Sequence, residues 1–141
     1  MNVIYLASDH GGTVLKAHVA EHLDSKGYEV RDLGVNGTES VDYPDYAKKL
    51  ANRIKSKKGD VGILVCGSGT GMAISANKSK GIRAAVGYNL KSTQLSRQHN
   101  NANILCLGSR LTKKKDIKKI VAIFLNTKFE GGRHNRRVKK I

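Results

Sequence analysis

Residues 61–65, Val-Gly-Ile-Leu-Val, form an apolar run with no polar alternation, and they lead directly into Cys66-Gly-Ser-Gly-Thr-Gly71. A strand with one face in water alternates; a strand covered on both faces reads as a continuous run. This segment therefore belongs inside a sheet with a helical layer on each side. Four further runs support that reading: residues 2–7 (NVIYLA), 28–33 (YEVRDL), 82–88 (IRAAVGY) and 103–108 (NILCLG). Between them lie stretches of helical periodicity. Leu15, Val19 and Leu23 recur at helical spacing, with Gly27 placed to end that helix. Pro44 suits a first helical turn, followed by one face of Tyr43, Ala47, Leu50 and Ile54. Met72, Ala73 and Ala76 point inward from a helix after the glycine turn, and Asn89 caps a helix running to about Asn100. Ile117, Ile120, Val121, Phe124 and Leu125 mark a last long helix with Thr112 as its cap, and the basic tail 131–141 allows a short helical piece.

Strand and helix alternating five times specify a parallel sheet with right-handed crossovers. The fold expected is α/β: one domain over residues 1–141, a three-layer α/β/α sandwich around a Rossmann-like five-stranded parallel sheet. In such sheets ligands bind at the edge formed by the C-terminal strand ends. The polar residues Asp9-His10, Cys66-Gly67-Ser68 and Arg110 follow strands one, three and five and fall on that edge.

The glycine turn admits several chemistries. A dinucleotide fingerprint fails, because Met72 stands at the third glycine position and no acid follows about 20 residues later. A Walker loop fails for want of Gly-Lys-Ser/Thr. What remains is a turn rich in backbone N–H groups before a helix, able to hold a phosphate or a developing oxyanion. Gly67, Gly69 and Gly71 permit the tight turn and the close approach of a ligand. Cys66 is open to two readings: a small buried hydrophobe, or a thiolate favoured by the helix N-terminus and acting as a base. Cys106, inside a strand, reads as core. Asp9 is either a turn former or a functional acid, and His99-Asn100 sits where a helix dipole favours histidine. Arg133 and Arg137, four apart, share a helical face that is either solvated or a phosphate clamp.

The formal charge of +15 raises the question of nucleic acid. No zinc finger, basic heptad region or RNA-recognition aromatics accompany it, and aromatic residues are only 5% of the chain, too few for stacking platforms. An anionic small molecule fits the charge without them. No apolar run approaches the roughly 20 residues of a membrane span, the first residues lack a basic leader, and two cysteines without metal-ligand spacing suit a reducing compartment. The expectation is a cytoplasmic protein without membrane or nucleic-acid partners.

Six blocks, taken together, resemble the ribose-5-phosphate isomerase B family: SDHGG (8–12), DYPDYA (42–47), GILVCGSGTGMAISANK (62–78), GIRAA (81–85), LSRQHNNANILCLGSR (95–110) and FEGGRHNRRV (129–138). The likeness spans nearly the whole chain in the family's order. It implies an aldose–ketose isomerase that interconverts D-ribose 5-phosphate and D-ribulose 5-phosphate through an enediolate, with no metal or organic cofactor. The resemblance also implies a homodimer, often a dimer of dimers, with active sites at the subunit interface. It assigns Cys66 as the base at sugar C2 and C1, Ser68 and the amides of Gly67, Gly69, Thr70 and Gly71 as holders of the enediolate oxygen, and His99 as ring opener. Asp9 and Asn100 bind sugar hydroxyls and relay protons, while His10, Arg110, Arg133 and Arg137 surround the phosphate. Ser68 replaces the threonine usual in the family and keeps its hydroxyl. Met72 stands where some members place a glutamate base, which leaves Cys66 in that role. The related galactose-6-phosphate isomerase subunits usually lack the cysteine or the histidine, so a pentose is favoured. Allose 6-phosphate as substrate and a non-catalytic phosphate binder are the alternatives.

Overall fold

The structure, a computed structural model, describes residues 2–55 and 57–141. Its five strands are β1 (Ile4–Ser8), β2 (Val30–Asp32), β3 (Val61–Cys66), β4 (Ala84–Val86) and β5 (Ile104–Gly108). Its helices are α1 (Thr13–Ser25), α2 (Tyr43–Ile54), α3 (Thr70–Ala76), α4 (Leu90–Asn100), α5 (Lys114–Asn126) and α6 (Arg133–Val138). The strands lie in the order β2-β1-β3-β5-β4, every pair parallel. The α/β sandwich expected from the sequence is thus present, with the apolar 61–65 run at its centre.

Alternation along each strand divides the core in two. Tyr5, Leu64, Cys66, Ile104 and Cys106 face one way and pack with Leu50 and Ile54 of α2 and Met72 and Ala76 of α3. Ile4, Leu6, Ile63, Val65, Leu105 and Leu107 face the other way, against Val19 and Leu23 of α1 and Ile117, Ile120 and Phe124 of α5. Each such aliphatic side chain, fully buried, stabilises the fold by roughly 1.5–3 kcal/mol. Cys66 ends the central strand on the α2–α3 side.

Several local expectations are corrected. β1, β2, β4 and β5 are shorter than the apolar runs that announced them. Tyr43 is exposed, while Ala51 takes a buried place on α2. Leu15 is only partly buried; Lys16 is the buried neighbour, 1% exposed. Its ammonium donates to Asp32 Oδ1 at 2.7 Å, Val35 O at 2.6 Å and Asn36 Oδ1 at 2.8 Å. A buried lysine is tolerated because its charge is paired and its donors are used. Thr112 does not cap α5: Lys113 holds that position without a side-chain bond, and Thr112 Oγ1 instead accepts from Gly108 N at 3.3 Å. At α4 the cap expected from Asn89 is present, as a capping box in which Asn89 Oδ1 accepts from Ser92 N at 2.8 Å.

Candidate active site

Three loops at the C-terminal strand edge build one concave site. The first follows β1, where Asp9 Oδ1 accepts from Gly11 N at 2.9 Å and caps a short 3-10 turn, His10–Gly12. A Cβ on Gly12 would sit 2.5 Å from Val65 O, so only glycine lets this turn lie against β3. The turn after β3 is the second. Gly69 adopts φ +81°, a left-handed conformation that favours glycine, and its amide donates to Cys66 Sγ at 3.1 Å. Thr70 N donates to Ser68 Oγ at 3.2 Å, so the Ser68 hydroxyl keeps its own proton to donate. The third loop follows β5 and is zipped to the second: Ser109 N donates to Cys66 O at 2.8 Å and Arg110 N to Gly67 O at 3.0 Å. Ser109 Oγ donates to Gly11 O at 2.7 Å and joins it to the first.

Between these loops lies an open cavity of about 390 Å³. Asp9, Cys66, Gly67, Ser68 and Arg110 line it. Tyr43, Gly71 and Leu111 complete the wall. Larger cavities exist elsewhere, of about 450, 590 and 720 Å³, but Cys66 lines none of them. His10 lies exposed in the first loop, and its Nδ1 accepts from Val41 N at 3.1 Å. A neutral imidazole accepting at Nδ1 carries its proton on Nε2, ready to donate. Cys106 lies in the sheet two rungs from this edge; burial above all, and then the neighbouring Cys66, push its thiol well above the usual cysteine range.

The other proposed residues sit at a different place. α4 returns from the C-terminal end of β4 to the N-terminal end of β5, so its last turn, with His99 and Asn100, lies at the opposite edge of the sheet. Asn103 N donating to Arg83 O at 2.9 Å, just outside β4, fixes that level. A strand of five residues spans about 16 Å, and that is the order of the gap between Cys66 and His99 within one chain. α6 joins the second group. His134 stacks on His99 with centroids 4.4 Å apart, and Glu130 N donates to Gln98 O at 3.1 Å. Arg133 and Arg137 are exposed on the same short helix.

The residues singled out from the sequence therefore fall into two separate groups. Asp9, His10, Cys66, Ser68 and Arg110 form the first; His99, Asn100, Arg133 and Arg137 form the second. Sequence reasoning did not single out Tyr43, whose ring lies over Gly71, with Cε1 2.6 Å from where a Cβ would be. Its helical register suggested a core residue, and nothing local distinguishes a residue at a helix start from one on the buried face. His134, 7% exposed, was also missed, because a histidine within a basic tail gives no signal of burial.

A family model described as Ribose/Galactose Isomerase matches residues 4–141. The chain is 45% identical over 141 residues to the ribose-5-phosphate isomerase B of Escherichia coli, covering 100% of this chain and 95% of that one. It superposes with TM-score 0.95 on a ribose 5-phosphate isomerase from Thermotoga maritima, at 50% identity and covering 99% and 96% of the two chains. A Mycoplasma genitalium ribose-5-phosphate isomerase B, solved with ribulose-5-phosphate bound, superposes with TM-score 0.94 at 47% identity, covering 98% and 92%.

Proposed function

The chain belongs to the ribose/galactose isomerase family and is an isomerase, and we propose that it interconverts D-ribose 5-phosphate and D-ribulose 5-phosphate through an enediolate. The observation that carries this reading is the single cavity that joins Cys66, Ser68 and Arg110.

His99 begins the reaction on the cyclic sugar: it takes the proton from the anomeric hydroxyl as the ring oxygen gains one, and the open aldose results. Cys66, as thiolate, removes the proton from C2. The electron pair moves through C1 onto the carbonyl oxygen, and Ser68 Oγ–H and turn amides hold the oxyanion. In the substrate-free arrangement the Gly69 and Thr70 amides donate to Cys66 Sγ and Ser68 Oγ and so steady the base and the hydroxyl. Asp9 and Asn100 bind hydroxyls and pass the proton between O2 and O1. The thiol then returns its proton to C1, and C2 becomes the ketone. Donors aimed where charge develops are worth about 3 kcal/mol each in barrier.

The phosphate carries a charge of about −1.5 to −2 at neutral pH, which suits the fixed cations Arg110, Arg133 and Arg137 with His10. Because the two half-sites lie at opposite edges of one chain, a pentose phosphate meets both only when a second copy supplies the His99 half. The active assembly in this reading is a homodimer with shared sites. Two free thiols, Cys66 and Cys106, suit a reducing compartment such as the cytoplasm; among the described residues no helix is long and apolar enough to cross a membrane.

The test is turnover of ribose 5-phosphate by Cys66→Ala. Isomerisation is expected to vanish while the sugar phosphate still binds; full activity would refute the base assignment. Comparing kcat/KM on ribose 5-phosphate and allose 6-phosphate decides the substrate.

A further inference from the structure

At the far end of α4, His99 and His134 stack with their planes 13° from parallel. Glu130 Oε1 stands 3.9 Å from His99 Nε2 and 3.7 Å from His134 Nε2. One ligand atom from each of the three residues lies within 4.8 Å of the other two. The segment that carries Glu130 is tied to α4 by its bond to Gln98 O, and His134 N donates to Gly131 O at 3.0 Å, which anchors the start of α6. The side chain of His134 is 9% exposed, whereas those of His99 and Glu130 are 37% and 49% exposed, so an ion has a way in.

Two imidazoles and one carboxylate are a donor set for divalent transition metals. An ion held at about 2.1 Å from each donor in tetrahedral geometry separates them by about 3.4 Å; the two Glu130–histidine distances, 3.9 and 3.7 Å, exceed that by a few tenths of an ångström, and the ligand atoms of all three residues lie within 4.8 Å of one another. Near-parallel rings aim their lone pairs side by side, so one ring must turn; His99 is the more exposed and has the room. Arg133 and Arg137 disfavour any cation, which restricts the site to transition-metal ions with nitrogen affinity, such as cobalt, nickel, copper and zinc. Magnesium and calcium need several oxygen ligands and are excluded.

We propose that His99, Glu130 and His134 form a binding site for a divalent transition-metal ion, and that an ion there withholds His99 from ring opening. The first half stands on geometry alone; the second rests on the reading of His99 as ring opener. A coordinated imidazole has given its lone pair to the metal and cannot take a proton.

The experiment titrates full-length protein with Co²⁺, followed by absorbance, and with Zn²⁺, followed by calorimetry, for the natural chain, Cys66→Ser, Glu130→Gln and His134→Gln. One ion per chain is expected, without a sulfur-to-cobalt charge-transfer band and unaffected by Cys66→Ser. Affinity should fall at least about tenfold in Glu130→Gln and His134→Gln, the loss found even when outer-shell partners are removed. Glu130 is exposed, so Glu130→Gln keeps the test open should His134→Gln not fold. A thiolate band, or undiminished affinity in Glu130→Gln, overturns the site.

The second arm uses an asymmetry of the substrates. Ribulose 5-phosphate has its 5-oxygen esterified, cannot form a furanose, and needs no ring opener. Zn²⁺ should lower the rate from ribose 5-phosphate at least about a hundredfold, the scale of a lost acid–base group. Cys66-dependent hydrogen exchange from solvent into ribulose 5-phosphate should persist. Equal loss of both reactions overturns the inhibitory role. Should His99→Asn itself open the ring normally, the ring-opener reading fails while the metal site stands on its binding data.

Discussion

At the scale of single residues, the two cysteines differ in what they face. Both are free and both are buried, yet only Cys66 borders the cavity. Cys106 is held as a neutral thiol by burial, chiefly, and by Cys66 on the neighbouring strand. A thiol held well above its usual range is not a nucleophile at neutral pH. Alkylation of the native protein at neutral pH should therefore modify one thiol per chain, Cys66, and bound sugar phosphate should slow it; mass spectrometry of the labelled peptides checks both. Rapid labelling of Cys106 would contradict the arrangement. The sequence left Cys66 open between core and catalyst, because a cysteine at a strand end looks the same in either role. What the fold adds is non-local: Asp9, Arg110 and Tyr43 come from three other segments to line one cavity with it. Gly69 is a different case. The run of glycines announced a tight turn, and the structure places the left-handed φ at Gly69 alone of the three.

At the scale of elements, the capping chemistry was legible where it is purely local. Asn89 and Ser92 satisfy each other's backbone amides at the start of α4. Asn89→Ala removes one of these bonds and should destabilise the fold by about 1 kcal/mol, read from the midpoint of urea unfolding. The opposite end of α4, with His99, should keep its geometry in that variant. Thr112 shows the converse: its sequence position suits a cap, but the β5 turn recruits its hydroxyl to Gly108 N. Lys16 is the larger departure from helical patterning. Periodicity favoured Leu15, yet α1 buries Lys16 because Asp32 at the end of β2, with Val35 and Asn36 just beyond it, offer three oxygen partners. Lys16→Ala strands those acceptors in a partly buried site and should cost about 3 kcal/mol, in the range for breaking a buried charge pair; calorimetric unfolding tests it.

At the scale of the whole molecule, the separation of the Cys66 group from the His99 group dominates, and with the proposed shared sites it makes a prediction about assembly. Cys66→Ala and His99→Asn damage different halves. In a symmetric dimer with shared sites, mixing the two variants and allowing subunits to exchange should restore about a quarter of the natural activity, since half of the dimers are mixed and each of those has one intact site of two. Absence of any recovery, with exchange demonstrated by native mass spectrometry, would count against shared sites. The alternation of strands and helices, the central place of the 61–65 run, and the edge that would gather Asp9, Cys66 and Arg110 were determined by the sequence alone, because periodicity, glycine turns and right-handed crossovers act over short spans of chain. The tertiary structure alone decided that α4 carries His99 away from Cys66 to the far edge, and that Glu130 and His134 meet it there. Those placements depend on how strands distant in sequence pair and on where the returning helix ends, which no local pattern encodes.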